Sequence, residues 1–532
     1  MKKLPLGIQN FKKIVEGDYV YIDKTQYISN LINGASYYFL SRPRRFGKSL
    51  LIDTISEVFS GNRELFRGLW IYNSSYAFNK YPVIRLDMSN IPNETPGILK
   101  ASLFDELDAR SHREGISIRG TEPAILFKRL IENLYENYGQ RVVVLIDEYD
   151  KPILDHVDDI ETAEANRRVL RGFYGILKSM DPYLRFIFIT GVTKFSKTSI
   201  FSDLNNLTDI TLAEKYASIC GIPTADLDRY FKEHIDTIKA SDMPKTYESV
   251  HNEILEWYDG YSWDGKNRMI NPFSLLSFFE QEKFESFWYS SGTPKFLIDL
   301  IKQKPESYLA LRNLRITERV LDNFDIHNME IEPLFFQTGY LTVKEVIQTK
   351  GSPVYLLDIP NYEVRDSLNM QLLSALTESG SAQTERAQLE INDALEAGDL
   401  QKVLDMIRGL FASIPYELHV DKEAYYHSIF YAVMTVLGFD IDAEVSVSKG
   451  RVDAVLELDD KVYIMEFKYE RCPPDADQET KQGLFEKALS DGMSQIKNKG
   501  YSKKYQGSGK TIYQAAFAFL GRDDIEMKSE SF

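Results

Sequence analysis

Short β-rich runs alternate with amphipathic stretches through the first half of the chain. Tyr37–Leu40, Val83–Leu86, Val142–Ile146 and Phe186–Ile189 read as strands. The last two are almost wholly apolar, as central parallel strands covered on both faces require. Helix-length segments separate the runs at Leu50–Phe59, Glu122–Tyr138 and Ala163–Met180. This alternation predicts a βαβ sheet, with Thr208–Leu212 as a fifth strand.

The texture changes after about Phe284. Helical pieces at Lys295–Gln303 and Glu318–Asn323 precede Pro333–Val343, which reads as a helix, a glycine turn and a strand. Val354–Leu357 supplies a second strand, and the Pro360-Asn361 turn leads into another helix. Helix, strand, wing, strand and helix predict a small winged-helix-like module. Glu378–Gln388 has the polar composition of a linker. An amphipathic helix pair at Leu389–Ile414 then leads into the last unit. The expected divisions are 1–283, 284–388, 389–420 and 421–532.

At 532 residues the chain needs more than one core, since a domain typically holds about 150 residues. Its 63 basic and 79 acidic residues leave a net charge of −16. That excludes a generally basic nucleic-acid coat and confines any contact with DNA or RNA to a local patch. The two cysteines, Cys220 and Cys472, cannot build a disulfide framework or a four-cysteine zinc site, and they fit a reducing compartment. The N-terminal MKKLPLGIQNFKKIVEG has no uninterrupted apolar stretch behind its charges. No run of about 18 apolar residues occurs anywhere. The expectation is a cytoplasmic chain without a membrane partner.

Ser41-Arg42-Pro43-Arg44-Arg45-Phe46-Gly47-Lys48-Ser49 lies between the first strand and a helix. That is the place of a phosphate loop, G-x-x-x-x-G-K-[ST], with Arg42 where the first glycine would stand. Gly47 permits the tight turn that aims amides at phosphate oxygens. Lys48 neutralises the β- and γ-phosphates, and the Ser49 hydroxyl can ligate Mg2+. Val142–Ile146 ends in Asp147-Glu148-Tyr149-Asp150. At the C-terminal edge of a parallel sheet, Asp147 can hold Mg2+ through water and Glu148 can polarise an attacking water. Thr190 or Thr193 can sense the γ-phosphate or serve as ordinary strand-end residues. Arg167, Arg168 and Arg171 are either arginine fingers or a solvated helix face.

RPRRFGKS, LIDEYDKP and TGVTKFSK resemble the bacterial AAA-ATPase-like family. LPLGIQNFKKI, YIDKT, LNNL, WYDGYSW and NPFSLL share the likeness, which spans about Leu4–Phe279. The resemblance implies an α/β P-loop ATPase with a parallel sheet and with ATP and Mg2+ as its ligands. It places Arg44, Arg45, Gly47, Lys48, Ser49, Asp147 and Thr190 around the nucleotide and makes Arg42 a family trait. It also brings the N-terminal stretch near the adenine, where Tyr21, Asp23 and Lys24 either touch nucleotide or pack.

The last unit carries Gly450–Leu458, a turn at Asp459-Asp460, and Lys461–Lys468. The pattern is a β-hairpin with alternation in its second arm. Glu466 and Lys468 then project from one face, and Asp453 starts the neighbouring strand. One Asp, one Glu and the Phe467 carbonyl are hard oxygen ligands for Mg2+ or Mn2+. Lys468 can orient water and stabilise developing phosphate charge. A Glu-x-Lys is equally the pattern of a cross-strand charge pair. Seven lysines from Lys481 to Lys510, against Glu486 and Asp491, form the local patch that a phosphate backbone needs, or a solvated helix.

Glu423 before a helical Ala424–Gly438, Glu444 at the next strand, and D-x(12)-E-x-K in the hairpin follow the order of the PD-(D/E)XK nuclease core. About Glu423–Phe519 resembles that superfamily. The resemblance implies a catalytic set of Glu423, Asp453, Glu466 and Lys468, with Glu444 a further carboxylate. It puts Gln495 and Tyr501 at the Gln and Tyr positions of a later helix. Together the two likenesses imply an ATP-binding and ATP-hydrolysing protein coupled to a metal-dependent nuclease that acts on nucleic acid, DNA foremost. A homo-oligomer is compatible with them. The alternative is a nucleotide-dependent switch or scaffold whose C-terminal fold binds without cutting.

Overall fold

The β-rich runs of the first half form one parallel sheet. Strands β1 (Tyr37–Ser41), β2 (Val83–Asp87), β3 (Val142–Asp147), β4 (Leu184–Gly191) and β5 (Thr208–Asp209) lie in the order β2-β3-β4-β1-β5. β3 is buried along its whole length, which accounts for its unbroken apolar sequence. Register pairs Leu40 with Thr190, Ile146 with Ile189 and Asp87 with Asp147. The C-terminal ends of β1, β3 and β4 therefore share one edge, where an open α/β sheet holds its ligand.

The computed structural model describes the chain outside residues 195–199, 202–203, 205, 239–245, 289–313, 322–329, 378–380, 413–440, 448–449, 459, 474–475, 521–523 and 532, and, for side chains, also outside 371–377, 381–385, 388, 410–412, 441–447, 450–453, 499 and 501. Two compact units part between Val364 and Arg365. Among the described residues no helix is long and apolar enough to cross a membrane.

In the first unit, α1 (Phe11–Glu16) and α2 (Thr25–Ile32) precede the sheet, and α3 (Lys48–Phe59) follows β1. Helices α4 (Pro96–Arg113) and α5 (Pro123–Tyr138) lead into β3, and α6 (Lys151–Leu154) and α7 (Ile160–Gly175) separate β3 from β4. Proline opens α4 and α5, where a missing amide costs nothing. Asn10 and Asp159 cap α1 and α7. Asp53 of α3 is nearly buried; it accepts from the Phe11 amide at 2.6 Å and pairs with Arg85 of β2. One carboxylate thus fastens the N-terminal segment and β2 to the helix that follows the phosphate loop.

Further along, β6 (Ile222–Pro223) pairs with β7 (Met269–Ile270). Helices α8 (Leu227–Thr237), α9 (Tyr247–Tyr258) and α10 (Pro272–Gln281) enclose a core that includes Phe231, Tyr258, Phe278 and Phe279. An antiparallel sheet of β8 (Leu314–Thr317), β10 (Val354–Asp358) and β9 (Thr342–Ile347) follows, with α11 (Glu318–Leu321) and α12 (Ile331–Thr338). Its helix–strand–strand–helix run, closed by α13 (Tyr362–Thr377), has the winged-helix-like order read from the pattern.

The second unit contains α14 (Ser381–Ala397), α15 (Leu400–Ala412) and a five-stranded sheet. The sheet runs β11 (Ile441–Val447), β12 (Gly450–Glu457), β13 (Lys461–Tyr469), β14 (Thr511–Phe519) and β15 (Ile525–Ser531), in that spatial order. Only β13 and β14 are parallel, and α16 (Gln478–Lys499) makes the crossover between them. Leu489, Met493 and Ile496 of α16 pack with Val462, Ile464, Ala516 and Ala518 on one face. On the other face Tyr463 donates its hydroxyl to the Leu395 carbonyl of α14 at 2.5 Å.

Several expectations are corrected. Residues 381–388, read as linker, are helical in α14, because Ala, Gln, Glu and Arg are good helix formers and Ala387, Ile391, Ala394 and Leu395 supply a buried stripe. The helix read over Ala163–Met180 starts at Ile160 and ends at Gly175, where 3₁₀ turns take over. Only Thr208 and Asp209 of the fifth strand join the sheet. The second hairpin arm does not alternate in burial, since β13 is covered on both faces. The helices read at Lys295–Gln303 and Ala424–Gly438 lie outside the described residues.

Replacing Asp53 by Ala strands the Phe11 amide and the Arg85 guanidinium. Such a loss costs about 2 kcal/mol, and urea unfolding of the variant at pH 7 is expected to show it as a lower midpoint with unchanged slope.

Candidate nucleotide and nuclease sites

The phosphate loop is shaped by two backbone reversals. Arg45 has φ 69° and Gly47 has φ 87°, so the chain turns twice before α3 begins at Lys48. Amides in the first turn of a helix have no intrahelical acceptor. Lys48 and Ser49, at the start of α3, line a cavity of about 400 Å3 together with Arg44, Arg45 and Gly47. The Lys48 ammonium is buried and donates to the carbonyls of Arg42 and Pro43, both at 2.9 Å. Burial pulls its pKa down, while Glu148, Asp147 and Asp150 favour the charged form.

Arg42 faces away from this cradle. It is fully buried, donates to the carbonyls of Ser41, Thr211 and Tyr216, and stacks over the Trp263 ring at 3.9 Å. Burial lowers its pKa to about 10. The arginine in place of the first glycine therefore braces the loop from behind.

Asp147 and Glu148 stand at the end of β3. Thr190 donates to Asp147 Oδ1 at 2.6 Å. Asp147 Oδ2 is buried and accepts no hydrogen bond among the described residues, which fits a carboxylate made to face a cation. Glu148 lines the cavity with φ 49°. Burial raises its pKa, Lys48 opposes the rise, and Asp147 adds to it. Thr193 serves the neighbouring Asp150, which it meets through both amide and hydroxyl at 2.7 and 2.6 Å. Arg167 pairs with Glu164 within α7, and Arg168 and Arg171 are exposed on that helix.

The same cavity is also lined by apolar side chains, Leu6, Ile22, Ile222, Phe231, Phe273 and Leu276 among them. Tyr21 and Lys24 reach it, while Asp23 turns aside to accept from Thr25 and the Trp70 amide. Lys24 donates to the Ser218 carbonyl at 2.7 Å, and burial pulls its pKa to about 8. The contribution of Ile222 and Phe231 left no local signal in the sequence, where they look like ordinary core positions.

The loop is also clasped by the residues that follow. Phe46 lies between Tyr261 and Trp263, with ring centroids at 4.7 and 5.4 Å. Trp288 Nε1 donates to the Arg44 carbonyl at 3.3 Å. Gln337 of α12 accepts from the Lys194 amide at 2.9 Å, just beyond β4.

In the second unit, Glu466 of β13 is fully buried. The Lys468 ammonium approaches its Oε1 at 3.2 Å, and Gln495 of α16 donates to the same oxygen. The Phe467 side chain lies on the opposite face, stacked on Phe517. Register pairs Ala454 with Met465, so Asp453 and Glu466 are the next residues along their two strands. Glu444 falls between the Ala443–Ala454 and Val445–Val452 pairs, beside Asp453. The sheet thus sets three carboxylate residues on adjacent strands at one level. The side chains of Glu444, Asp453 and Tyr501, and all of Glu423, lie outside the described residues. Among the described residues no three His, Cys, Asp or Glu side chains gather as a metal cluster.

In the lysine-rich stretch, four of the seven lysines meet acids. Lys481, Lys487, Lys497 and Lys510 pair with Asp524, Glu470, Glu530 and Glu457. These acids come from distant strands and loops, so the local count of charges could not reveal them.

Over residues 5–201 the chain matches the family model described as predicted AAA-ATPase, and over 421–529 that of the PD-(D/E)XK nuclease superfamily. It is 37% identical over 525 residues to an uncharacterized protein in the vnfD 5′ region of Azotobacter chroococcum mcd 1, covering 97% of this chain and 96% of that protein. Among solved structures, the Aeropyrum pernix ORC2 protein in ADPNP-ADP complexes is similar at 12% identity and a TM-score of 0.26, over 68% of this chain and 98% of that one. Drosophila ORC bound to GC-rich DNA and Cdc6 is similar at 10% identity and a TM-score of 0.21, over 81% and 62%. With a relative matched along nearly its whole length and both family models present, this chain belongs to the predicted AAA-ATPase family, in a form that carries a PD-(D/E)XK nuclease-superfamily domain at its C-terminus.

Proposed function

We propose that the chain couples ATP binding and hydrolysis to metal-dependent cleavage of phosphodiester bonds in nucleic acid, with duplex DNA the substrate to test first. The observation that carries this reading is the buried Glu466 carboxylate, held on one oxygen by Lys468 and Gln495. A carboxylate in a sheet core needs compensating charge, and a carboxylate oxygen beside an ammonium is what a hydrolytic metal site requires. The register beside Asp453 supports Asp453 and Glu466 as the residues that hold Mg2+ or Mn2+, with the Phe467 carbonyl as a third oxygen. The ion supplies Lewis acidity to the scissile phosphate and acidifies water. Lys468 orients that water, Gln495 fixes Glu466, and Glu423 completes the set.

In the ATP half, Lys48 leaves the Arg42 and Pro43 carbonyls for phosphate oxygens, and the first-turn amides of α3 complete the cradle. Arg44 and Arg45 add positive charge at the cavity wall. Ser49 and the open Oδ2 of Asp147 hold Mg2+, which neutralises phosphate charge when bound. Thr190 keeps Asp147 in place, and Glu148 accepts a proton from the attacking water. The apolar side chains that line the cavity take the base. The contacts of Trp288 with the Arg44 carbonyl and of Gln337 with the Lys194 amide support the middle region that begins near residue 284 as the relay of nucleotide state.

A second reading, a nucleotide-dependent switch whose C-terminal fold binds without cutting, is favoured by the pairing of Lys481, Lys487, Lys497 and Lys510, which leaves fewer cations for a phosphate backbone. Incubation with plasmid, Mn2+ and ATP separates the two readings. Nicking that Lys468→Ala abolishes, with nucleotide binding intact, supports the nuclease; retention without nicking in the parent supports the switch. Phosphate release is expected to show an acid limb above the ordinary Glu value of 4.5, because burial raises the Glu148 pKa and only the ionised carboxylate accepts a proton. Glu148→Gln should keep ATP binding, slow release by about 100-fold or more, and lack that limb. A parent rate that stays flat from pH 7 down to 4.5 would contradict the role given to Glu148.

A further inference from the structure

Glycine is disfavoured in a helix interior relative to alanine, yet α16 carries two. Gly483 is exposed, and a side chain there would meet nothing within 4 Å. Gly492 is buried. A Cβ at Gly492 would lie 2.9 Å from the Ala516 Cβ and 3.6 Å from Lys468 Cγ. Ala516 is fully buried on β14 and pairs in register with Glu466. Gln495 stands three residues after Gly492, on the same side of the helix, and there it donates to Glu466.

We infer that Gly492 is a positioning residue of the C-terminal site. Its missing side chain lets α16 settle against Ala516, and this close approach brings Gln495 to the Glu466 carboxylate while leaving the Lys468 stem its path to the same oxygen. Ala516 is the other half of the fit, since its Cβ is the atom that a side chain at position 492 would strike. Neither residue touches the reacting atoms; both act by fixing the distance between helix and sheet. The inference rests on the metal-dependent nuclease reading above.

The test uses the full chain and three variants, Gly492→Ala, Gly492→Ala with Ala516→Gly, and Gly483→Ala. Mn2+ binding is measured by titration calorimetry, cleavage of duplex DNA by steady-state kinetics, and Tm by circular dichroism. Gly492→Ala is expected to weaken Mn2+ about tenfold and to lower kcat about 100-fold, with KM for DNA held. A purely structural role for Gly492 would instead lower Tm through the clash with Ala516 while leaving Mn2+ binding and kcat of the folded protein unmoved. Adding Ala516→Gly removes the carbon that a new Cβ would strike and should restore Mn2+ binding and kcat, while Gly483→Ala should match the parent. Parent-like binding and cutting by Gly492→Ala would overturn the inference. So would a double variant as impaired as the single, and this comparison still decides if the single variant fails to fold. A parent that neither binds Mn2+ nor cuts would overturn the nuclease reading and this inference with it.

Discussion

A carboxylate placed inside a sheet face survives only where other groups on that face carry its charge. Glu466 is such a carboxylate, met by Lys468 of its own strand and Gln495 of α16. Val462 and Ile464, earlier on the same face of β13, build the core under α16. The apolar series then breaks into Glu466 and Lys468, which face each other at 3.2 Å. Desolvation makes an unpaired charge there costly, so the Lys468 and Gln495 contacts stabilise the fold around Glu466. A metal ion held by Glu466 would share the same economy of charge.

The first unit solves a related problem with its cation. Lys48 is buried among Glu148, Asp147 and Asp150, and it rests on two loop carbonyls. These contacts are easily exchanged for phosphate oxygens, which accept the same hydrogen bonds and bring more charge. The loop that presents Lys48 is held from behind by Arg42 and from the side by Phe46, both against Trp263. Any shift of the loop on nucleotide binding must therefore move the Tyr261–Trp263 segment, and Gln337 reports the neighbouring end of β4 to α12. In the proposed reading, nucleotide state passes through this packing.

What the sequence disclosed follows from how local each signal is. The strands of the parallel sheet were legible because a strand covered on both faces must be apolar throughout, as Val142–Ile146 is. The GKS triplet and the Asp147-Glu148 pair were legible because their chemistry is carried by neighbours in the chain. The apolar lining of the candidate cavity was not, since Leu6, Ile222 and Phe273 come from three separated segments and each reads as core alone. The helical character of 381–388 was hidden by polar composition, although Ala387 and Ile391 already had helical spacing. The partners of the lysine-rich stretch were hidden for a long-range reason: Asp524 and Glu530 pair with Lys481 and Lys497 only after β15 returns beside α16. The opposite faces of Glu466 and Phe467 were readable from strand alternation; the part played by Gly492 was not, because an absent side chain leaves no pattern.

The central claim is that Glu466, beside Lys468 and at the register of Asp453, holds a divalent cation. Anomalous diffraction from crystals of the full chain soaked in Mn2+ tests it most directly. The account predicts a manganese peak within coordination distance of a Glu466 carboxylate oxygen and of the Asp453 carboxylate. An ion bound elsewhere in the second unit, or no peak there at saturating Mn2+, would contradict it.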